Sequence, residues 1–213
     1  MVSKDENIPN FNLQINNEKV KQVNKFNYLG STITTDGRSL DEIKKRIAIA
    51  KSSFQKMRTI LTNLKINLKV RLKVLKTYVW STLTYGCETW TLNKEARERL
   101  EAAEMWMIRR MMRVPWIARR TNESVLQQAG TKRELLKIIK KRQLKFLGHA
   151  IRKHTIEHLS ITGAIEGRRA RGRQRHTYVD RIIASNNLNC KPNQLIQQAE
   201  DRTWWRHTTA QVT

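Results

Sequence analysis

Acidic residues are scarce in this chain. It has 18 Asp and Glu against 42 Lys and Arg over 213 residues, a formal net charge of +24. With 3 prolines and 8 glycines the sequence lacks the turn residues of a sandwich or barrel and favours long helices. Its 2 cysteines, Cys87 and Cys190, form no C-x-x-C pair. That excludes a disulfide framework and leaves reduced thiols as the expectation. No apolar run approaches the ~20 residues of a membrane span, and the polar opening Met1–Asn10 is no signal peptide. The expected setting is therefore intracellular, nucleus and/or cytoplasm, with no membrane partner. A 39% hydrophobic fraction can still build a core, although 28% charged residues and a mean hydropathy of −0.64 imply thin, solvated elements.

The positive charge is unevenly placed. Residues 38–76 carry twelve Lys/Arg against two acids, residues 131–181 carry fifteen against four, and the first 37 residues are neutral. Like charges clustered this way repel one another and are best tolerated against a polyanion. RNA and/or DNA is the partner this asymmetry predicts.

Hydrophobic periodicity supplies the fold class. Phe11–Thr35 alternates as strands do, with a turn at Asn16-Asn17, and is expected to run extended through Tyr28-Leu29-Gly30 to the Asp36-Gly37 turn. Ser39 with Glu42 reads as a capping box opening a helix whose stripe is Ile43, Ile47, Ala50, Phe54, Met57, Leu61 and Leu64. A second helix places Leu68, Leu72, Leu75, Val79 and Leu83 inside, with Lys69, Arg71, Lys73 and Lys76 outside. A third, from Asn93 to Pro115, buries Ala96, Leu100, Ala103, Met107, Met111 and Val114. A short helix at Glu123–Ala129 stops at Gly130. A second capping box, Thr131 with Glu134, opens a helix through Ile151. Beyond it, Gly167–Arg175 reads as an exposed loop, with further helices at Tyr178–Ser185 and Pro192–Trp205. Trp80, Trp90, Trp106 and Trp116 are expected in packing, and one of Trp204 and Trp205 in water.

Two tempting sites fail on chemistry. His154 and His158 have H-x₃-H spacing and His149 lies nearby, yet no paired cysteines complete a zinc set. Glu42-Ile43-Lys44 matches half of a nuclease motif but lacks the preceding acid that would share the metal. By contrast, Gly167–Arg175 packs five arginines among glycines, a composition suited to phosphates and exposed bases.

Phe26-Asn27-Tyr28-Leu29-Gly30 resembles the F-x-Y-L-G element at the end of the palm in reverse transcriptases of non-LTR (LINE-type) retrotransposons. The resemblance continues through Ile33–Gly37, Arg46-Ile47-Ala48-Ile49-Ala50-Lys51, Tyr85-Gly86-Cys87-Glu88-Thr89-Trp90, Leu147-Gly148-His149, Gly167–Arg175, Asp201-Arg202 and Trp204. It implies a palm end, a helical thumb and the carboxy-terminal region beyond it, with Phe26, Tyr28, Leu29 and Gly30 in a primer-grip-like role. That family positions two divalent ions with paired carboxylates upstream of this element. Here the residues before Phe26 hold only Asp5, Glu6 and Glu18 as acids, and no Asp-Asp occurs in the chain. The expectation is a fragment without catalytic residues or cofactor, Mg²⁺ being needed only by an intact relative. The alternatives are a domesticated nucleic-acid-binding module, or part of a polymerase whose palm is encoded upstream.

The expected architecture is mainly α (α+β). A small β-element covers 1–37, a helical thumb-like domain 38–151, and a partly disordered basic carboxy-terminal region 152–213. Expected nucleic-acid contacts are Lys44, Lys45, Lys51, Lys69, Arg71, Lys73, Lys140, Lys141, Arg142, Arg168, Arg169, Arg171, Arg173 and Arg175, gripping RNA or DNA including a template–primer duplex.

Overall fold

A computed structural model describes residues 13–163 and 177–211. Asn16 and Asn17 take φ of 52° and 65°, the left-handed pair that a two-residue hairpin turn demands. They fold β1 (Gln14–Ile15) antiparallel onto β2 (Glu18–Lys19). A second hairpin pairs β3 (Lys25–Tyr28) with β4 (Ser31–Thr34), Phe26 opposite Ile33 and Tyr28 opposite Ser31. Its turn is Leu29-Gly30, at φ 47° and 81°. The chain thus reverses where continued extension was expected. Gly30 makes the reversal easy, and Leu29 accepts a conformation that costs an L-residue about 1–2 kcal/mol.

Helix α1 (Leu40–Lys56) runs almost directly into α2 (Arg58–Leu61). Ile43, Ala50, Phe54 and Leu61 are fully buried along the expected stripe, whereas Leu64 lies past the end of α2 and is 61% exposed. The helical run 68–83 is one continuous stretch with a wider turn inside it: α3 (Leu68–Val74), a π-helical turn at Leu75–Val79, and α4 (Trp80–Leu83). Its π-helical turn and α4, with Leu75, Val79, Trp80 and Leu83 buried, pack on α1. A short 3₁₀ turn covers Cys87–Thr89, followed by α5 (Lys94–Met111). Trp80 and Trp90 are buried as expected. Trp106 carries the Arg110 guanidinium 4.8 Å above its ring, and the Trp116 side chain lies outside those described.

Neither predicted capping box forms. The Ser39 side chain caps nothing at its own helix, and its Oγ instead accepts from the Thr91 N–H at 3.0 Å. Helix α6 (Asn122–Ala129) is capped by Thr121 and ends at Gly130. Helix α7 (Leu135–Lys153) begins without a side-chain cap from Glu134. Glu104 of α5 supplies the missing acceptor, taking the N–H groups of Glu134 and Leu135 at 2.8 and 3.1 Å. A carboxylate is worth most there, where the helix leaves its first N–H groups unpaired. Burial pushes the Glu104 carboxyl up, against the pull of those two bonds.

The chain divides into two compact units, residues 1–86 with 90–103, and 87–89 with 104–213. In the second, α7 is the axis. Helices α8 (Ile156–Thr162), α9 (Tyr178–Asn186), α10 (Pro192–Glu200) and α11 (Arg202–Gln211) all contact it. Val179, Ile182, Leu195, Ala199 and Trp205 share one core with Leu144, Leu147 and Ile151. The region expected as a loosely ordered tail therefore contains, in its described residues, helices that carry half of a core. Trp204 is 38% exposed and Trp205 3%, so one of the adjacent indoles does face water.

Trp205 explains a glycine. Its Nε1 donates to the Leu144 carbonyl at 3.0 Å, and a Cβ on Gly148 would fall 2.1 Å from that nitrogen. Replacing a mid-helix glycine with alanine ordinarily stabilises by roughly 0.5–1 kcal/mol. At this position Gly148→Ala is expected to act in the opposite direction, lowering stability by about 1–3 kcal/mol through forced overpacking. Circular dichroism melts of the two proteins check the sign, and a raised melting temperature in the variant contradicts this packing.

Candidate nucleic-acid interface

The β3–β4 hairpin is held on α1 by polar contacts from one of its faces. Alternation along the strands turns Lys25, Asn27, Thr32 and Thr34 inward. Lys25 Nζ meets Asp41 at 2.5 Å, and Lys45 Nζ donates to Asn27 Oδ1 and Thr32 Oγ1 at 2.8 and 3.1 Å. At the centre, Glu42 accepts the Thr32 N–H and the Arg46 Nε, each at 2.7 Å. Arg46 Nη2 continues to the Gly30 carbonyl at 2.6 Å. Its guanidinium lies 4.4 Å from the Tyr85 ring centre, and the Tyr85 hydroxyl donates to the Leu29 carbonyl at 3.1 Å. Both turn residues are thus clamped, which compensates the strain at Leu29.

The opposite face is left uncovered within this unit. Phe26 and Tyr28 are each 57% exposed, Leu29 at the tip 76% and Ile33 50%. The F-x-Y-L-G residues are therefore presented on a rigidly seated hairpin. Arg46 and Tyr85, which come from separate segments of the family-like pattern, seat it. Glu42 belongs to the same network and was missed as a site residue, because the capping-box spacing offered a local explanation for it.

The predicted basic residues do not share one fate. Lys44, Lys51, Lys69 and Lys73 are exposed on α1 and α3. Lys45 is half-buried under the hairpin. Arg71, expected on the outer face, is buried instead, and its Nε and Nη1 donate to the carbonyls of Ile66 and Leu61 at 3.0 and 3.2 Å. It closes the turn between α2 and α3 and presents no guanidinium to a phosphate. On α7, Lys140 and Lys141 are half-buried and Arg142 Nε donates to Glu88 at 2.8 Å. Arg168, Arg169, Arg171, Arg173 and Arg175, with the loop at Gly167–Arg175, lie outside the described residues.

A groove in the second unit gathers Arg142, an expected nucleic-acid contact, with residues that the sequence did not single out as contacts. Successive turns of α7 supply Arg142, Lys145, Phe146, His149 and Arg152, and α11 supplies Arg202, Trp205, Arg206 and Thr209, with Glu88 at one end. Its volume is about 520 Å³. Arg152 is fixed by donating to the Ala199 carbonyl at 2.6 Å. The floor around Glu88 is firm. Gln143 donates to the Cys87 carbonyl at 3.0 Å and the Tyr178 hydroxyl to the Glu88 carbonyl at 2.7 Å. Burial pushes the Cys87 thiol up to about 12, so it stays protonated and unreactive.

Among the described residues no group of three or more His, Cys, Asp or Glu could hold a metal ion. His158 Nδ1 lies 2.9 Å from the Ile151 carbonyl, with its ring centre 5.0 Å from that of His154. Glu42, the acid of the nuclease-like triplet, is committed to Arg46. No helix among the described residues is long and apolar enough to cross a membrane.

Burial, the largest influence on Glu42, would raise its carboxyl. The hydrogen bonds from Arg46 and Thr32, with the Arg46 charge, outweigh it and hold Glu42 below its ordinary 4.5. A lowered folded value means that its stabilisation is complete above the unfolded value and is lost as pH falls through the folded one. Glu42→Gln is expected to cost about 3–5 kcal/mol near neutral pH, because Arg46 keeps its charge in a buried place without a counter-ion. The gap between parent and variant should narrow as pH falls below 4.5. Melts across that range check both parts, and a pH-independent gap contradicts the role given to Glu42.

No family model matches the chain, and no solved structure matches it. The chain is similar to a Caenorhabditis elegans protein named as uncharacterized and transposon-derived, with 26% identity over 138 residues. The match covers 63% of this chain and 49% of the relative, so the chain spans about half the length of that relative. This similarity supports a transposon origin for the chain.

Proposed function

We propose that this chain binds nucleic acid through its phosphates, largely regardless of sequence, as the post-catalytic portion of a LINE-type reverse transcriptase. The observation that carries the reading is the surplus of cations in two blocks, +10 over residues 38–76 and +11 over 131–181. The exposed Lys44, Lys51, Lys69 and Lys73 add to it, since a solvated surface of one sign attracts a polyanion. In this reading the hairpin face of Phe26, Tyr28 and Leu29 lies against the end of a template–primer duplex while the lysines track its backbone. The setting would be the nucleus and/or cytoplasm, with RNA and/or DNA as partner and no catalysis by this chain alone.

A second reading is favoured by the same hairpin. Its uncovered Phe26, Tyr28, Leu29 and Ile33 would suit a protein surface, such as a palm encoded upstream. A domesticated module would instead keep only the nucleic-acid contact.

Binding to duplex and to single strands is expected to fall steeply with salt. About six phosphate contacts predict roughly a thousandfold weakening between about 50 and 200 mM salt. Titrations at several salt concentrations check this, and a flat dependence, or no binding at low salt, contradicts the proposal. With primed template, nucleotides and Mg²⁺ or Mn²⁺, the chain is expected to extend no primer, having no Asp-Asp pair to hold the ions. Extension that survives repurification would show a catalytic centre within the chain.

A further inference from the structure

Two helix faces that would be expected to repel each other line the groove of the second unit. Lys145, His149 and Arg152 come from α7, and Arg202 and Arg206 from α11. The one carboxylate present, Glu88, is already engaged by Arg142. Among the described residues Lys145, Arg202 and Arg206 have no ion-pair partner, although all three are exposed and could have swung apart into solvent. Their backbones cannot separate. Trp205 lies between Arg202 and Arg206 in sequence, is buried against Gly148, and bonds to Leu144. The packing that seats α11 on α7 therefore brings the two basic stripes together. Arg152 registers the result: burial and then the charges of Arg202 and Arg206 lower its pKa from the ordinary arginine value.

We propose that this groove is a phosphate-binding site that takes one nucleotide unit of a bound nucleic acid. Guanidinium groups from two sides can fork onto the oxygens of one phosphate. Lys145 adds a compact charge at the rim. Phe146, half-buried in the wall, gives an apolar surface for a sugar or base face beside the phosphate. The volume of about 520 Å³ lies in the range of sites that enclose a small molecule. The site rests on the nucleic-acid reading above and gives it one definite place of contact.

The test uses the full chain, its Arg202→Gln/Arg206→Gln variant, and Lys19→Gln/Lys21→Gln as a control with the same change in charge on exposed residues of the other unit that lie outside both basic blocks. Each is titrated with inorganic pyrophosphate, a single-stranded 12-mer and a duplex, after circular dichroism confirms unchanged folding. Pyrophosphate is expected to saturate at one per chain for the parent and the control, and to bind at least about tenfold more weakly to the groove variant. The variant should also lose about 0.7–0.9 of log–log salt slope for each phosphate contact removed. If the parent binds the strands and the groove variant matches it in affinity and slope, the groove proposal is overturned and the nucleic-acid reading stands. If the parent binds pyrophosphate but no strand at low salt, both are overturned and the groove holds only free phosphate. Equal weakening in the control overturns the groove as well, since net charge alone would then explain the loss.

Discussion

Glu42 carries its carboxylate into the first unit to meet Arg46 and the Thr32 N–H, and Glu104 is buried in the second to cap α7. Glu88 engages Arg142 at the end of the basic groove. These three acids do structural work that local interactions leave undone: seating a hairpin, starting a helix, fixing a loop against α7. Glu42 and Glu88 each neutralise one arginine, Arg46 and Arg142, whereas Glu104 is spent on backbone N–H groups. With only 18 acids against 42 cations, most of the positive charge stays uncompensated.

Helix positions were legible because they depend on apolar periodicity, which local sequence contains. Ile43, Ala50, Phe54, Leu72, Leu75, Leu100 and Met107 all lie where that period puts them. What the sequence hid was the use of polar groups over long separations. Glu42 and Glu134 each stand three residues after a Ser or Thr, a spacing that explains them locally. The bonds that form instead reach from Thr91 to Ser39 and from Leu135 to Glu104. Arg71 misled for the same reason. A helical wheel places it among lysines, and only the turn between α2 and α3 supplies the carbonyls that draw it inward.

The candidate site was legible in part. The motif order located Phe26, Tyr28, Leu29 and Gly30, and the structure adds that Arg46 and Tyr85, from two other segments of that pattern, hold their turn. The groove was not legible. Arg152 and Arg202 lie 50 positions apart, and no spacing rule links them before Trp205 packs on Gly148. Arg202 did stand within the family-like pattern, beside Asp201, yet nothing local marked it as part of a cationic cluster.

If the surplus charge is a binding surface, a polyanion should stabilise the folded chain, since a ligand that prefers the native state raises its stability by mass action. The most direct measurement is the melting temperature of the full chain in low salt as an RNA–DNA heteroduplex is added. The account predicts a rise that continues up to a defined stoichiometry and is reversed by salt. At a free ligand concentration of about 100 times Kd the gain should be about 2.7 kcal/mol. A melting temperature indifferent to the heteroduplex at every concentration would contradict the claim that these cations await a nucleic acid.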